Sequence, residues 1–187
     1  MKKIIYVLLF LCLIFNTNNY EELNKLAIIT NIGIDNSNNS YTLIYQEVIP
    51  SKKDGKIVNK YKYYISKDKS LNKSFSKMKK IIPKTIYLGH LENVLIKGKN
   101  KKYIYHLDKY INKDIDNYKI IITNNSIKKI FNYGDYRYIN TIIKNNISYQ
   151  DIKKNNLEKR TSNIPVVKFI DGILLFHKYE KLGDYND

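Results

Sequence analysis

The 187-residue chain has no tryptophan, one cysteine, three prolines and seven glycines. The lone thiol, Cys12, can form no intrachain disulfide. Beyond residue 12 nothing can supply a thiolate zinc ligand or a cysteine nucleophile. Arginine is confined to Arg137 and Arg160, although Lys and Arg together number 33 against 17 Asp and Glu, a formal net charge of +16. Sequence-specific nucleic-acid readers rely on the arginine fork for bidentate contacts. Its scarcity, with lysine spread evenly, argues against a nucleic-acid partner and for a solvated lysine surface. Such a surface suits anionic lipid headgroups or wall polymers. Part of the charge follows from base composition, since Ile, Lys, Asn and Tyr all have AT-rich codons.

Sequence signatures of catalysis are also missing. There is no G-x-G-x-x-G, no Walker loop and no G-x-S-x-G. The histidines, His90, His106 and His177, are isolated, without a second ligand at metal-binding spacing apart from a weak His106/Asp108 pair on opposite helix faces. No catalytic residue, metal site or cofactor is expected, and the chain is read as a non-enzyme.

What is present begins at the N-terminus. Lys2 and Lys3 precede an unbroken apolar run from Ile4 to Phe15. Twelve helical residues reach roughly 18 Å at 1.5 Å each. A bilayer core is about 30 Å thick. Residues 1–19 therefore read as a signal peptide or an N-terminal membrane anchor. Lipid attachment at Cys12 and an uncleaved anchor both stay open. The sequence before Cys12 ends in Leu11, where a lipobox has a small residue.

Residues 20–178 read as one domain, and 179–187 as a polar tail that opens a missing second domain. Leu26 to Asp35 is a strand, with Ile28, Ile32 and Ile34 on one face. A turn over Asp35 to Ser40 joins it to a second strand, Tyr41 to Ile49, which Pro50 ends. Ser51 to Asn59 is a charged loop turning at Gly55, followed by a third strand from Lys60 to Ser66. Ser70 caps a helix over Leu71 to Ile82, whose Leu71, Phe75, Met78 and Ile82 share a face. Pro83 stops it. Thr85 to Ile96 is a strand interrupted at Gly89-His90. A helix over Lys101 to Asn112 buries Ile104, Leu107 and Ile111. A strand over Asp116 to Thr123, a short helix over Ser126 to Phe131 and a weak helix over Tyr136 to Gln150 follow. Asp151 to Asn163 is a loop, and Val166 to Lys178 is the last strand region, turning at Asp171-Gly172. The interleaving predicts an α+β fold, a mixed β-sheet with an early hairpin packed against several helices.

His90 admits two readings. It could be a pH-sensitive or partner-facing contact. The simpler one is a histidine that satisfies nearby backbone and fixes the turn beside Gly89. The interleaved Lys and Tyr of Lys60 to Lys67 and Lys101 to Tyr110 could stack single-stranded nucleic acid. An edge strand and an amphipathic helix with tyrosines half buried account for the same pattern.

Three segments, taken together, resemble the N-terminal domain of the Ger(x)C family of spore germination proteins. The first is Glu22-Leu23-Asn24-Lys25-Leu26-Ala27 running into Gly33-Ile34-Asp35. The second is the helix from Leu71, Pro83 and then Tyr87-Leu88-Gly89-His90-Leu91. The third carries Gly172, Phe176, Lys178, Lys181, Leu182 and Gly183. The positions matching the family pattern at Glu22, Leu26, Gly33, Asp35, Pro83, Gly89, His90, Gly172 and Gly183 are expected to be structural. The resemblance implies a non-catalytic C subunit of a nutrient germinant receptor, with two integral-membrane subunits as partners. It places the protein on the extracytoplasmic face of the spore inner membrane. Two departures accompany it. The family's lipidated cysteine falls on Thr17, and family members are longer, so the chain reads as truncated. A non-functional remnant, or a basic polyanion-binding exported protein, is the alternative.

Overall fold

Strand β1 (Leu26–Ser37) sits in the middle of the sheet and meets three other strands. The computed structural model describes residues 23–37, 39–98, 101–111, 115, 117–132, 143, 147–171 and 173–182. A 3₁₀ turn (Leu23–Lys25) leads into β1. Then come β2 (Ser40–Lys53), β3 (Lys56–Asp68), α1 (Leu71–Ile81), β4 (Thr85–Tyr87) and β5 (Asn93–Gly98). A 3₁₀ segment (Lys102–Lys109), β6 (Lys119–Thr123), α2 (Ile127–Asn132), α3 (Tyr149–Leu157), β7 (Ser162–Ile170) and β8 (Ile173–Leu182) complete it.

The strand order is β3-β2-β1-β5-β6-β7-β8, with β4 a further neighbour of β1. The inner pairs β1–β5, β5–β6 and β6–β7 are parallel, and the outer hairpins are antiparallel. The inner strands are apolar on both faces, as a covered parallel sheet requires: Val94, Leu95 and Ile96 in β5, and Ile120, Ile121 and Ile122 in β6, are all buried. On one face, Leu71, Phe75 and Met78 of α1, Ile104 and Leu107 of the 3₁₀ segment, and Tyr149 and Ile152 of α3 form the larger core. On the other, Ile127, Ile130 and Phe131 of α2 cover Ile44, Leu95, Ile121 and Val167. The α+β architecture, the early hairpin and the buried face of α1 follow the sequence. No helix among the described residues is long and apolar enough to cross a membrane.

Several boundaries differ from expectation. Thr30 is an extra residue in β1: Ile29 pairs with Glu47, and Asn31 already pairs with Gln46. This bulge shifts the alternation, so Ala27, Ile29, Ile32 and Ile34 share the larger core and Ile28 does not. β2 does not end at Pro50 but runs on to Lys53. Beyond Glu47 it pairs, among the described residues, with β3 alone, and a strand with one unpaired edge tolerates a residue without an N–H. Nor is 51–59 a loop. It is the tip of the β2–β3 hairpin, closed by Asp54 (φ 51°) and Gly55 (φ 74°). Two successive positive φ angles are the hairpin turn that Asp-Gly favours. Ser70 occupies the N-cap of α1 without a side-chain bond to the helix. The expected helix over Lys101 to Asn112 is a 3₁₀ segment kinked at His106, with Ile104, Leu107 and Ile111 buried as predicted.

The expected loop over Asp151 to Asn163 is mostly α3 and the start of β7. Its N-terminus is fixed by a capping box: Ser148 Oγ accepts from the Asp151 N–H, and Asp151 Oδ2 accepts from the Ser148 N–H, both at 3.1 Å. α3 buries little besides Tyr149 and Ile152, so it lacks the apolar stripe that marks a helix in sequence. Ser148→Ala is expected to lower stability by about 1 kcal/mol, read as a shift of the urea midpoint at constant slope. An unchanged midpoint would mean that Tyr149 and Ile152 alone hold the helix. The supposed tail from Tyr179 continues β8 as far as Leu182. Residues 1–22, most of the weak helix proposed over 136–150, Gly172 and 183–187 lie outside the described residues.

Candidate functional site

The bulge at Thr30 has a structural consequence. Below the Ile29–Glu47 pair, β1 and β2 part. Leu26, Ala27 and Ile28 take β4 as their partner, and Val48 to Lys53 take β3. On the β4–β5 side the chain makes its own detour. Ile28 pairs with Tyr87 and Asn31 with Asn93, so the two residues between them in β1 lie opposite five in the neighbouring chain. The extra length is the Leu88 to Glu92 loop. It is tied down by the Leu91 N–H to Leu88 carbonyl bond and the Glu92 N–H to Thr30 carbonyl bond, both 2.9 Å.

Two clefts open at this fork, and Ile28, Val48 and Pro50 line both. One, of about 470 Å³, is walled by Thr30, Asn59, Tyr61, His90 and Glu92 over an apolar floor. The other, of about 300 Å³, is bordered by Asn24, Leu26, Glu47 and Lys84. Glu47 is buried there, and both its oxygens are engaged. Oε1 accepts from Lys84 Nζ and Oε2 from the Tyr64 hydroxyl, each at 2.8 Å. Burial, and secondarily the Glu47 carboxylate, pushes the Tyr64 phenol up to about 12, which keeps it a donor at neutral pH. Pro83 ends α1 and leaves Lys84 at the mouth of the smaller cleft.

Beside the larger cleft a polar chain crosses the sheet. Asn31 Nδ2 donates to Gln46 Oε1 at 2.7 Å and to Thr30 Oγ1 at 3.2 Å. Asn93 Nδ2 donates to Asn31 Oδ1 at 3.0 Å. Gln46 Nε2 donates to the Tyr63 hydroxyl, which donates to the Phe131 carbonyl at 2.7 Å. Asn31, Gln46 and Asn93 are fully buried. A buried polar chain of this kind fixes the register of four strands, because every slipped pairing would strand its members.

The positions singled out from sequence divide between this fork and the rest of the sheet. Leu26 and His90 line the clefts, and Pro83 and Gly89 flank them. His90 is exposed, its ring edge-on to Tyr87 at 5.7 Å. A Cβ on Gly89 would lie 2.4 Å from the Tyr87 hydroxyl, so the glycine admits that ring. Gly33 lies elsewhere, under α2, where a Cβ would be 2.4 Å from Ile127 Cγ2. Asp35 accepts from Lys97 at 3.0 Å at the far end of β1. Cys12, Glu22, Gly172 and Gly183 are outside the described residues. Sequence reasoning missed Glu47, Asn31 and Gln46, polar residues inside an apolar strand pattern. The one available signal was their position between strand residues of high apolarity.

Among the described residues no three His, Cys, Asp or Glu side chains gather to hold a metal ion.

Residues 19–164 match a family model described as the spore germination protein N-terminal domain. Among solved structures, the crystal structure of the GerBC protein is similar at 17% identity and a TM-score of 0.43, over 82% of this chain and 48% of that one. The chain thus spans about half the length of that protein. Curated proteins gave no match.

Proposed function

We propose, from the premise that this chain belongs to the spore germination protein N-terminal domain family, that it is a membrane-associated, non-catalytic subunit of a nutrient germinant receptor. The observation that carries this reading is the family match across residues 19–164, which takes in the whole fork and most of the sheet. The partners in this reading are two integral-membrane subunits, and the site of action is the extracytoplasmic face of the spore inner membrane. Attachment runs through the apolar run from Ile4 to Phe15, as an uncleaved anchor or with a lipid on Cys12. A net charge of +16 supports a resting place against anionic headgroups, which attract each well-placed lysine by about 1 kcal/mol. A holding role, rather than a catalytic one, is supported by Glu47, whose two oxygens are taken up by Lys84 and Tyr64.

The test is an in-frame deletion with complementation. Spores without the protein are expected to lose their response to nutrients and to keep their response to a trigger that bypasses nutrient receptors. Nutrient germination at the parental rate would overturn the receptor role. Loss of both responses would place the protein in a later, general step instead.

A further inference from the structure

The β2–β3 hairpin outruns the sheet. After Glu47, β2 is no longer paired with β1, and β2 and β3 continue as a two-stranded ribbon to the turn at Asp54-Gly55. From Lys52 to Lys60 every residue of this arm is exposed. It carries Lys52, Lys53, Lys56 and Lys60 against one acid, Asp54. None of these four lysines has a carboxylate partner among the described residues, whereas Lys84, Lys97, Lys101 and Lys153 each have one. The ribbon is well formed, with the Ser51 hydroxyl donating to the Val58 carbonyl at 2.9 Å.

Its tip is not wholly polar. Ile57 is 76% exposed and Val58 41% exposed, side by side just after the turn. The strand alternation puts Ile57 on one face of the ribbon, paired with Lys52, and Val58 on the other, paired with Ser51. A lone exposed valine or isoleucine is ordinary. Two adjacent ones at the end of a projecting arm, ringed by unpaired lysines, combine the two features that bind an interface between water and lipid. The lysines meet anionic headgroups and the branched side chains enter the boundary beneath them.

We propose that this arm is a membrane-contact element, docking tip first on an anionic lipid surface. The inference rests on the membrane-associated reading above and names the part of the domain that touches the bilayer. A nucleic acid or an acidic protein would answer the lysines and leave Ile57 and Val58 in water, so the lipid surface fits both.

The experiment uses the full-length chain, carrying Cys12→Ala and a single fluorophore on Asn59→Cys, reconstituted in vesicles with brominated lipids. Quenching of the label is expected in vesicles containing phosphatidylglycerol and not in phosphatidylcholine alone. Replacing the four lysines with glutamine should lower the bound-to-free ratio of the arm by about fivefold per lysine. Ile57→Ser with Val58→Ser should lower it by about tenfold or more. A label on Leu157→Cys, on α3, should stay unquenched. The proposal is overturned if the Asn59→Cys label remains in water on anionic vesicles, if quenching ignores lipid charge, or if the α3 label is quenched equally. This readout concerns lipid contact only. The deletion test reads germination, so either can fail while the other stands.

Discussion

Gly33→Ala is expected to destabilise the protein by about 1–3 kcal/mol, although alanine is a common residue and the site lies in the middle of a strand. The methyl group would be placed 2.4 Å from Ile127 Cγ2 and 3.3 Å from Phe131 Cε2. Both neighbours belong to α2, which covers Ile44, Leu95, Ile121 and Val167 on that face. Neither can retreat without opening space elsewhere, so the overlap must be relieved by moving the helix. The diagnostic is a double-mutant cycle. Ile127→Ala alone leaves a cavity and costs about 2–5 kcal/mol. Combined with Gly33→Ala, the new methyl occupies part of that cavity, and the pair should cost less than the sum by about 0.5–3 kcal/mol. Urea unfolding of the four proteins measures this. Strict additivity would mean that α2 is displaced freely and that Gly33 is not a packing constraint.

A larger loss is expected at Asn31. Asn31→Ala removes the acceptor of Asn93 Nδ2 and the donor to Gln46 Oε1, both buried. A buried polar group left without its partner costs about 1–3 kcal/mol, so two of them cost about 2–6 kcal/mol. For a chain of this length that lowers the melting temperature by on the order of 10 °C. Asn93 is the more vulnerable to this change, because its Oδ1 already has no partner among the described residues. Replacing Asn31, Gln46 and Asn93 together with leucine removes the stranded groups as well as the bonds, and should recover part of the loss. If Asn31→Ala melts within a degree or two of the parent, water from the neighbouring cleft takes over its bonds, and the polar chain is solvated rather than sealed.

The outline of the fold was legible because most of its elements carry strong periodic signals. The helix over Leu71 to Ile82, the first two strands and the buried strands around Val94 to Ile96 and Ile120 to Ile122 each have the apolar pattern of their environment. What escaped notice was decided by pairing rather than pattern. The bulge at Thr30 depends on where Glu47 falls on the neighbouring strand, which no window along β1 reveals. The hairpin tip read as a loop because its lysines hide the strand, even though Asp54-Gly55 announces the turn. α3 is held by a cap and two side chains, too few for periodicity to show. Of the fork, sequence reasoning found Leu26, Pro83, Gly89 and His90 through the family resemblance, and missed Glu47, Lys84 and Asn31. Those three acquire meaning only once strands distant in the chain are brought together.

The parallel centre of the sheet also dictates an order of assembly. β1, β2 and β3 are consecutive and can pair as soon as they leave the ribosome. The other edge of β1 waits for β5, which lies 62 residues later at the Asn31–Asn93 pair. Loop-closure entropy makes such distant pairings slow to form. Until then the newborn three-stranded unit presents an open backbone edge from Asn31 to Asn36, a surface onto which a second nascent chain could add. Slowed synthesis between Asp68, where β3 ends, and Gly98, where β5 ends, would prolong that exposure, and a chaperone that shields it would be most needed there.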